Sequence, residues 1–143
     1  IVPLLDPEGA PVGMTINSFS SVSLAPPLIL FSIDKNALSL SAFRAGRSFA
    51  INVLGAGQES LSARFARPGS EKFTGVAWRS GLEGADSLAH FECLPWAQYE
   101  GGDHIIFVCR VQRHVYDSGK SPLLFYGGRY ADLGAAPTFS TAT

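Results

Sequence analysis

A mainly β chain, closed into a barrel with a few helical excursions, is the fold class that three observations predict. β-branched and aromatic residues recur in short runs, Gly, Pro, Asp and Ser separate those runs, and only two stretches show helical spacing with a stop signal. The 143 residues are one domain's worth, and with 46% of them apolar the chain has side chains enough for a core.

The elements follow in order. Residues 1–5 and 12–24 flank the turn DPEGAP at 6–11, an antiparallel hairpin by its turn chemistry. After the break at Pro26 and Pro27, residues 28–33 read as a fully buried strand, and 48–54, 88–93, 105–116 and 123–126 complete about seven strands. Helices are predicted over 37–45, stopped by Gly46, and over 58–66, stopped by Arg67, Pro68 and Gly69. Residues 68–87 are Gly-rich and predicted to be a surface loop.

Composition excludes several functions. Lys and Arg number 11 against 12 Asp and Glu, which leaves no electrostatic footprint for nucleic acid or an anionic membrane. The longest apolar run, 28–33, is interrupted by Ser32 and falls far short of the roughly 20 residues of a membrane helix. No signal peptide shows, and the pattern opens in mid-run at Ile1. Cys93 and Cys109 are too few and too far apart for a disulfide scaffold, so they read as small buried hydrophobes in a cytoplasmic protein.

The most informative stretch is the uncharged polar band from Thr15 to Ser23. As a strand it would place Thr15, Asn17, Phe19, Ser21 and Ser23 on one face and Ile16, Ser18, Ser20 and Val22 on the other. Hydroxyls would then line both faces. Either they bond one another and the backbone within a barrel wall, or they meet a neutral ligand edge rich in donors and acceptors, such as an isoalloxazine ring. A second candidate is the entry to the first helix, where Asn36 and Ser39 would frame a phosphate beside Lys35 and Arg44, or Asn36 would simply cap the helix.

Other motifs are weaker. GAGQES at 55–60 imitates the start of a dinucleotide fingerprint, but its third glycine is replaced by Ser60 and a mainly β chain leaves no room for a doubly wound sheet. His90, Cys93, His104 and Cys109 lack metal-ligand spacing, so no metal site is expected. Asp103 and His104 are chain neighbours without a nucleophile elbow, which argues against a triad. In the Gly-rich turn GGDH at 101–104, His104 is either solvated or set at the barrel mouth to stack on a flat ligand.

Taken together these pieces resemble the flavin reductase domain family, the small NAD(P)H:flavin oxidoreductases of two-component monooxygenases. The run GMTINSFSSVSLAPPLIL at 13–30 is similar to the family's signature, and AGRSFAINVL at 45–54, Gln58 with Leu61 and ARF at 63–65, EKF at 71–73, GDH at 102–104, and PLLFY at 122–126 with Arg129 and Tyr130 follow in register. The resemblance implies an FMN-binding split β-barrel of Greek-key type. It implies a single flavin reductase-like domain over 1–143, lacking the helix and strand that members carry ahead of the position matching Ile1. It also implies a homodimer with FMN or FAD near the subunit interface, reduced by NAD(P)H through hydride transfer from nicotinamide C4 to flavin N5, and an oxygenase that receives the reduced flavin.

Carried over by position, Thr15, Ile16, Asn17, Ser18, Ser20 and Ser21 would contact the flavin ring and ribityl chain. Asn36 and Ser39 would approach the phosphate, and Phe65 and Lys72 would lie in a loop near the cofactor. His104 and Tyr130 would meet the nicotinamide nucleotide. The rival expectations are a split-barrel oxidase of the pyridoxamine-phosphate-oxidase type, a non-catalytic flavin-binding or storage protein, and a small β-barrel interaction module without a cofactor.

Overall fold

Nine strands and two helices form among the residues that the computed structural model describes, 1–69, 71–76 and 87–134. A hairpin of β1 (Val2–Leu5) and β2 (Pro11–Met14) turns on Asp6, whose Oδ1 accepts the N–H groups of Glu8 at 3.0 Å and Ala10 at 2.7 Å. The strands β3 (Ser20–Leu24), β4 (Pro27–Asp34), β5 (Phe49–Val53), β6 (Ala89–Gly101) and β7 (His104–Tyr116) make an antiparallel sheet in the order β3-β4-β7-β6-β5. A last hairpin joins β8 (Leu124–Tyr126) to β9 (Arg129–Ala131).

β1 also lies beside β5, where the Asn52 N–H donates to the Ile1 carbonyl at 2.8 Å. The strands therefore run β2-β1-β5-β6-β7-β4-β3 around a common core. Its two end strands, β2 and β3, are consecutive in the chain, yet among the described residues no ladder joins them. The barrel is split there, and its strand order is that of a Greek-key meander rather than a doubly wound sheet.

Several elements differ from expectation. The strand expected over 12–24 is two strands, because residues 15–19 leave one sheet before joining the other. β4 is not buried on both faces: Ile29, Phe31 and Ile33 point inward, while Leu28, Leu30 and Ser32 are half-exposed on the opposite face. The helix expected from residue 37 is α1 (Leu40–Ala45), because the Ala37 N–H first closes a turn onto Asp34 O at 3.0 Å. β6 runs on to Gly101 through Pro95, which the sheet accommodates with bulges at Glu92/Cys93 and Pro95/Ala97. β9 was not anticipated; the turn Gly127-Gly128, with φ of 59° and 75°, supplies the left-handed pair a two-residue hairpin needs. Of the loop expected over 68–87, residues 71–73 form a 3₁₀ turn, and 70 and 77–86 lie outside the described residues.

The core is aromatic at its centre. Phe31 stacks on Phe107 with ring centroids 5.3 Å apart, and Phe43 and Phe49 meet both rings edge-on. Each such pair adds about 0.5–1.5 kcal/mol beyond the area it buries. A smaller cluster of Ile1, Leu54 and Phe65, backed by Leu61, Phe73 and Leu123, seats α2 (Glu59–Ala66) against the hairpin. Among the described residues no helix is long and apolar enough to cross a membrane.

Cys93 and Cys109 are buried in the main cluster as free thiols. Burial pushes both pKa values up to about 12, with the Glu92 charge adding to the effect at Cys93 and the Cys93 sulfur to that at Cys109. At pH 8 a chromogenic aromatic disulfide is therefore expected to titrate neither thiol in the folded protein and both after unfolding in guanidinium; fast reaction of either in the native state would contradict this packing.

Candidate functional site

Residues 15–19 cross the split, and two hydroxyls hold them there. The Thr15 N–H donates to Phe65 O at 3.1 Å and its Oγ1–H to Ser62 O at 2.7 Å, which ties the segment to α2. Ser18 Oγ donates to Ser32 O at 3.1 Å and accepts the Ser32 N–H at 2.8 Å, which ties it to β4. Between and just beyond these anchors, the N–H groups of Ile16, Asn17, Ser18 and Phe19 have no hydrogen-bond partner among the described residues. Such donors are available to water or to a ligand entering the concave surface beside them.

A cleft of about 570 Å³ opens at this point. Residues 15–19 form its polar lip, Ile33, Ile51 and Leu54 give it an apolar floor, and Asp34, His104, Phe125 and Tyr130 stand at its rim. The volume lies in the range of small-molecule sites, about 300–1,000 Å³. Apolar walls with a row of neutral donors suit a flat, uncharged ring that carries acceptors along one edge.

The supports behind the lip are specific. Gly13 permits the close approach of α2, since a Cβ there would lie 3.1 Å from Phe65 Cε1 and 3.1 Å from Phe73 Cζ. Lys72 Nζ donates to Gly13 O at 3.0 Å and Phe65 O at 3.2 Å, and the burial this requires lowers its pKa below the usual lysine value. Tyr130 donates its hydroxyl to the buried Ser62 Oγ at 2.9 Å, so the last hairpin and the lip converge on one residue of α2.

His104 is positioned by the two-residue turn that precedes it. Gly102 takes φ 72° between the paired residues Gly101 and His104, which sets His104 opposite Asp34 at the start of β7. Its Nδ1 lies 2.7 Å from Asp103 Oδ1. That hydrogen bond, with the Coulombic attraction of the ring, holds the Asp103 carboxyl below the usual carboxylate range. An ionised Asp103 accepts, so Nδ1 carries the proton and Nε2 is left to a ligand.

Thr15, Ile16, Asn17, Ser18, His104 and Tyr130 thus line one cleft. The other expected residues do not line it. Ser20 and Ser21 lie exposed on β3, where Ser20 Oγ bonds Ser21 O at 3.2 Å. Asn36 does not cap α1, because the helix starts at Leu40 and Ser39 occupies the cap position, without a side-chain bond; the Asn36 N–H instead donates to Asp34 Oδ1 at 2.7 Å. Lys35 and Arg44 both pair with Glu100. Phe65 is 2% exposed and packs edge-on against Phe73, and Lys72 reaches backbone carbonyls instead of the cleft.

Asp34, Asn52, Ser62 and Phe125 line the cleft but were not singled out from the sequence. The signal at Asn52 was legible, a lone amide inside the apolar run FAINVL at 49–54. Ser62 was readable only as a small polar residue on a helix. Among the described residues no three His, Cys, Asp or Glu side chains converge as a metal site would require.

The chain thus presents a split antiparallel barrel with a cleft at its seam, lined mostly by neutral groups with Asp34 and His104 at the edge. The family model described as flavin reductase like domain matches residues 2–134, and the chain belongs to that family. It is 45% identical over 134 residues to FMN reductase (NADH) SmoA of Agrobacterium fabrum, spanning 91% of this chain and 75% of that protein. It is 37% identical over 130 residues to the reductase subunit HsaB of a flavin-dependent monooxygenase from Rhodococcus jostii, spanning 88% and 67% of the two chains. Among solved structures, the NADH:FAD oxidoreductase SgcE6 of Streptomyces globisporus C-1027, in complex with NAD and FAD fragments, superposes with a TM-score of 0.87 at 38% identity and covers 95% of this chain and 84% of that one.

The anchoring role of Thr15 has a direct consequence for stability. Thr15→Val keeps the side-chain shape and deletes the bond to Ser62 O, and is expected to cost about 1 kcal/mol in urea unfolding, whereas Ser20→Ala stays within about 0.5 kcal/mol. Equal effects from the two would count against the anchor.

Proposed function

We infer that this chain is an NAD(P)H-dependent flavin reductase that supplies reduced flavin to a partner monooxygenase. The observation that carries the reading is the row of N–H donors from Ile16 to Phe19, unpaired among the described residues, in a segment that lines a cleft together with Ile33, Ile51 and Leu54. A flavin ring fits that chemistry, because it is neutral, flat and lined with carbonyl and ring-nitrogen acceptors along one side. Bound there, it supplies a centre that takes hydride from the nicotinamide and passes electrons onward.

Each part of the chain then has a task. The 15–19 backbone orients the ring and presents fixed dipoles where negative charge grows, at no reorganisation cost during reaction. The apolar floor of Ile33, Ile51 and Leu54 limits water. His104, with Nδ1 held by Asp103, presents Nε2 at the rim to place the nicotinamide nucleotide against the ring. Tyr130 backs the same end through Ser62. Asn36 and Ser39, on the turn leaving β4, stay within this proposal only as contacts for the outer phosphate end of the ligand.

A homodimer of this single domain is part of the same reading. The outer face of the five-stranded sheet is apolar: Leu30 pairs with Val108 and Ile106 with Tyr99, Leu94 stands beside them 44% exposed, and Trp96 on the same strand is 52% exposed. A patch of that kind is what an association surface offers. The names of relatives that are monooxygenase reductase subunits support an oxygenase as recipient of the reduced flavin. The two buried free thiols support a cytoplasmic setting.

The test follows NADH and NADPH absorbance with purified protein, with and without FMN or FAD. Flavin-stimulated oxidation is expected, and His104→Ala should raise KM for the nicotinamide nucleotide by about tenfold while leaving flavin affinity within about twofold. Flavin binding without oxidation would mark a storage protein, and neither binding nor oxidation would remove the reading.

A further inference from the structure

Asn52 stands in the middle of β5 between Ile51 and Val53, and all three line the cleft. An amide at a half-buried strand position is costly unless its polar atoms find partners. Its Oδ1 lies 2.6 Å from Nδ1 of His90, the residue directly opposite in the β5–β6 register. An amide oxygen only accepts, so His90 must present an N–H at Nδ1.

His90 is 5% exposed, and burial lowers its pKa below the usual histidine value despite the opposing charge of Glu92. Burial thus favours the neutral ring, and with the Nδ1 proton on Asn52 Oδ1 the lone pair falls to Nε2, which has no partner among the described residues. Such a ring is poorly explained as a solvated or metal-binding histidine. Its single bond fixes the rotation of one neighbouring amide, and the backbone on each side is fixed as well, by the Asn52 N–H on Ile1 O at 2.8 Å. With Oδ1 committed to His90, the two N–H donors of Asn52 Nδ2 have no partner among the described residues.

We propose that Asn52 is a ligand-binding residue of the cleft, donating from Nδ2 to a carbonyl oxygen or unprotonated nitrogen of the bound flavin, and that His90 is the positioning residue that holds the amide in this rotation. The proposal rests on the flavin reductase reading and extends it to a second wall. The 15–19 lip offers backbone donors from one side, and Asn52 offers a side-chain donor from β5. A ligand with acceptors facing both is favoured, and one with a donor facing Asn52 is not.

The informative variant is Asn52→Asp, which keeps an oxygen for His90 and nearly the same volume but loses the donors and faces the ligand's acceptor with a carboxylate. Binding is read by quenching of flavin fluorescence without NAD(P)H, and Asn52→Asp is expected to weaken it by about tenfold or more. His90→Leu should weaken it by about three- to tenfold and raise KM for flavin more than it changes kcat, while His90→Gln, which keeps a donor, should recover most of the loss. Thermal melts identify folded variants, and Asn52→Ala replaces Asn52→Asp should the latter not fold. Affinity of the folded Asn52 variant within about twofold of the parent protein, or equal losses from His90→Leu and His90→Gln, would overturn the proposal. A parent protein that does not quench flavin at all would instead remove the reductase reading on which the proposal stands.

Discussion

The structure depends on one constraint: the chain must leave the ladder between β2 and β3 without becoming loose. Thr15 and Ser18 meet it by acting as clamps. Thr15 takes two acceptors from α2, at Phe65 O and Ser62 O, and Ser18 exchanges two bonds with the backbone of Ser32. Because those hydroxyls are occupied, the peptide N–H groups between them remain available. Close seating of α2 over Gly13, the Lys72 bonds to Gly13 O and Phe65 O, and the Tyr130 bond to Ser62 all serve to keep α2 where Thr15 needs it.

That arrangement explains the absence of charge from the polar band. A carboxylate or ammonium at residues 15–19 would face an apolar floor across a narrow cleft and lose hydration without a fixed partner. Neutral dipoles carry no such cost and discriminate by geometry. Charged groups stand around the band instead: Asp103 orients His104 at the rim, Lys72 bonds carbonyls behind the lip, and Lys35 and Arg44 share Glu100 on the outer surface. On the proposed reading, the seam is the part suited to a flat neutral edge and the rim the part suited to a more polar nucleotide.

Much of the fold was legible in the residues. Short β-branched and aromatic runs with Gly/Pro punctuation located eight of the nine strands, at least in part, and both helices. What eluded that reading was long-range. No Gly or Pro interrupts residues 15–24, so nothing local marked where one strand ended and the next began, and the partner of Thr15 Oγ1 lies 47 positions away. The serines and threonine stood out as groups to meet a ligand, and the structure shows two of them, Thr15 and Ser18, bonded to the backbone of Ser62 and Ser32. Phe65 and Lys72 belonged to the right neighbourhood for the same reason: they support the lip from behind. Asn52 was visible as an anomaly in an apolar strand, but only the register with His90 gives its amide a direction.

The central claim is that ligand recognition resides in the free peptide N–H groups at the split. Hydrogen–deuterium exchange of the intact protein, with and without FMN, measures it most directly. Slowed exchange centred on Ile16 to Phe19, with little change at the exposed Gly127-Gly128 turn, is the predicted result. Protection that leaves residues 16–19 unchanged while flavin is demonstrably bound would contradict it.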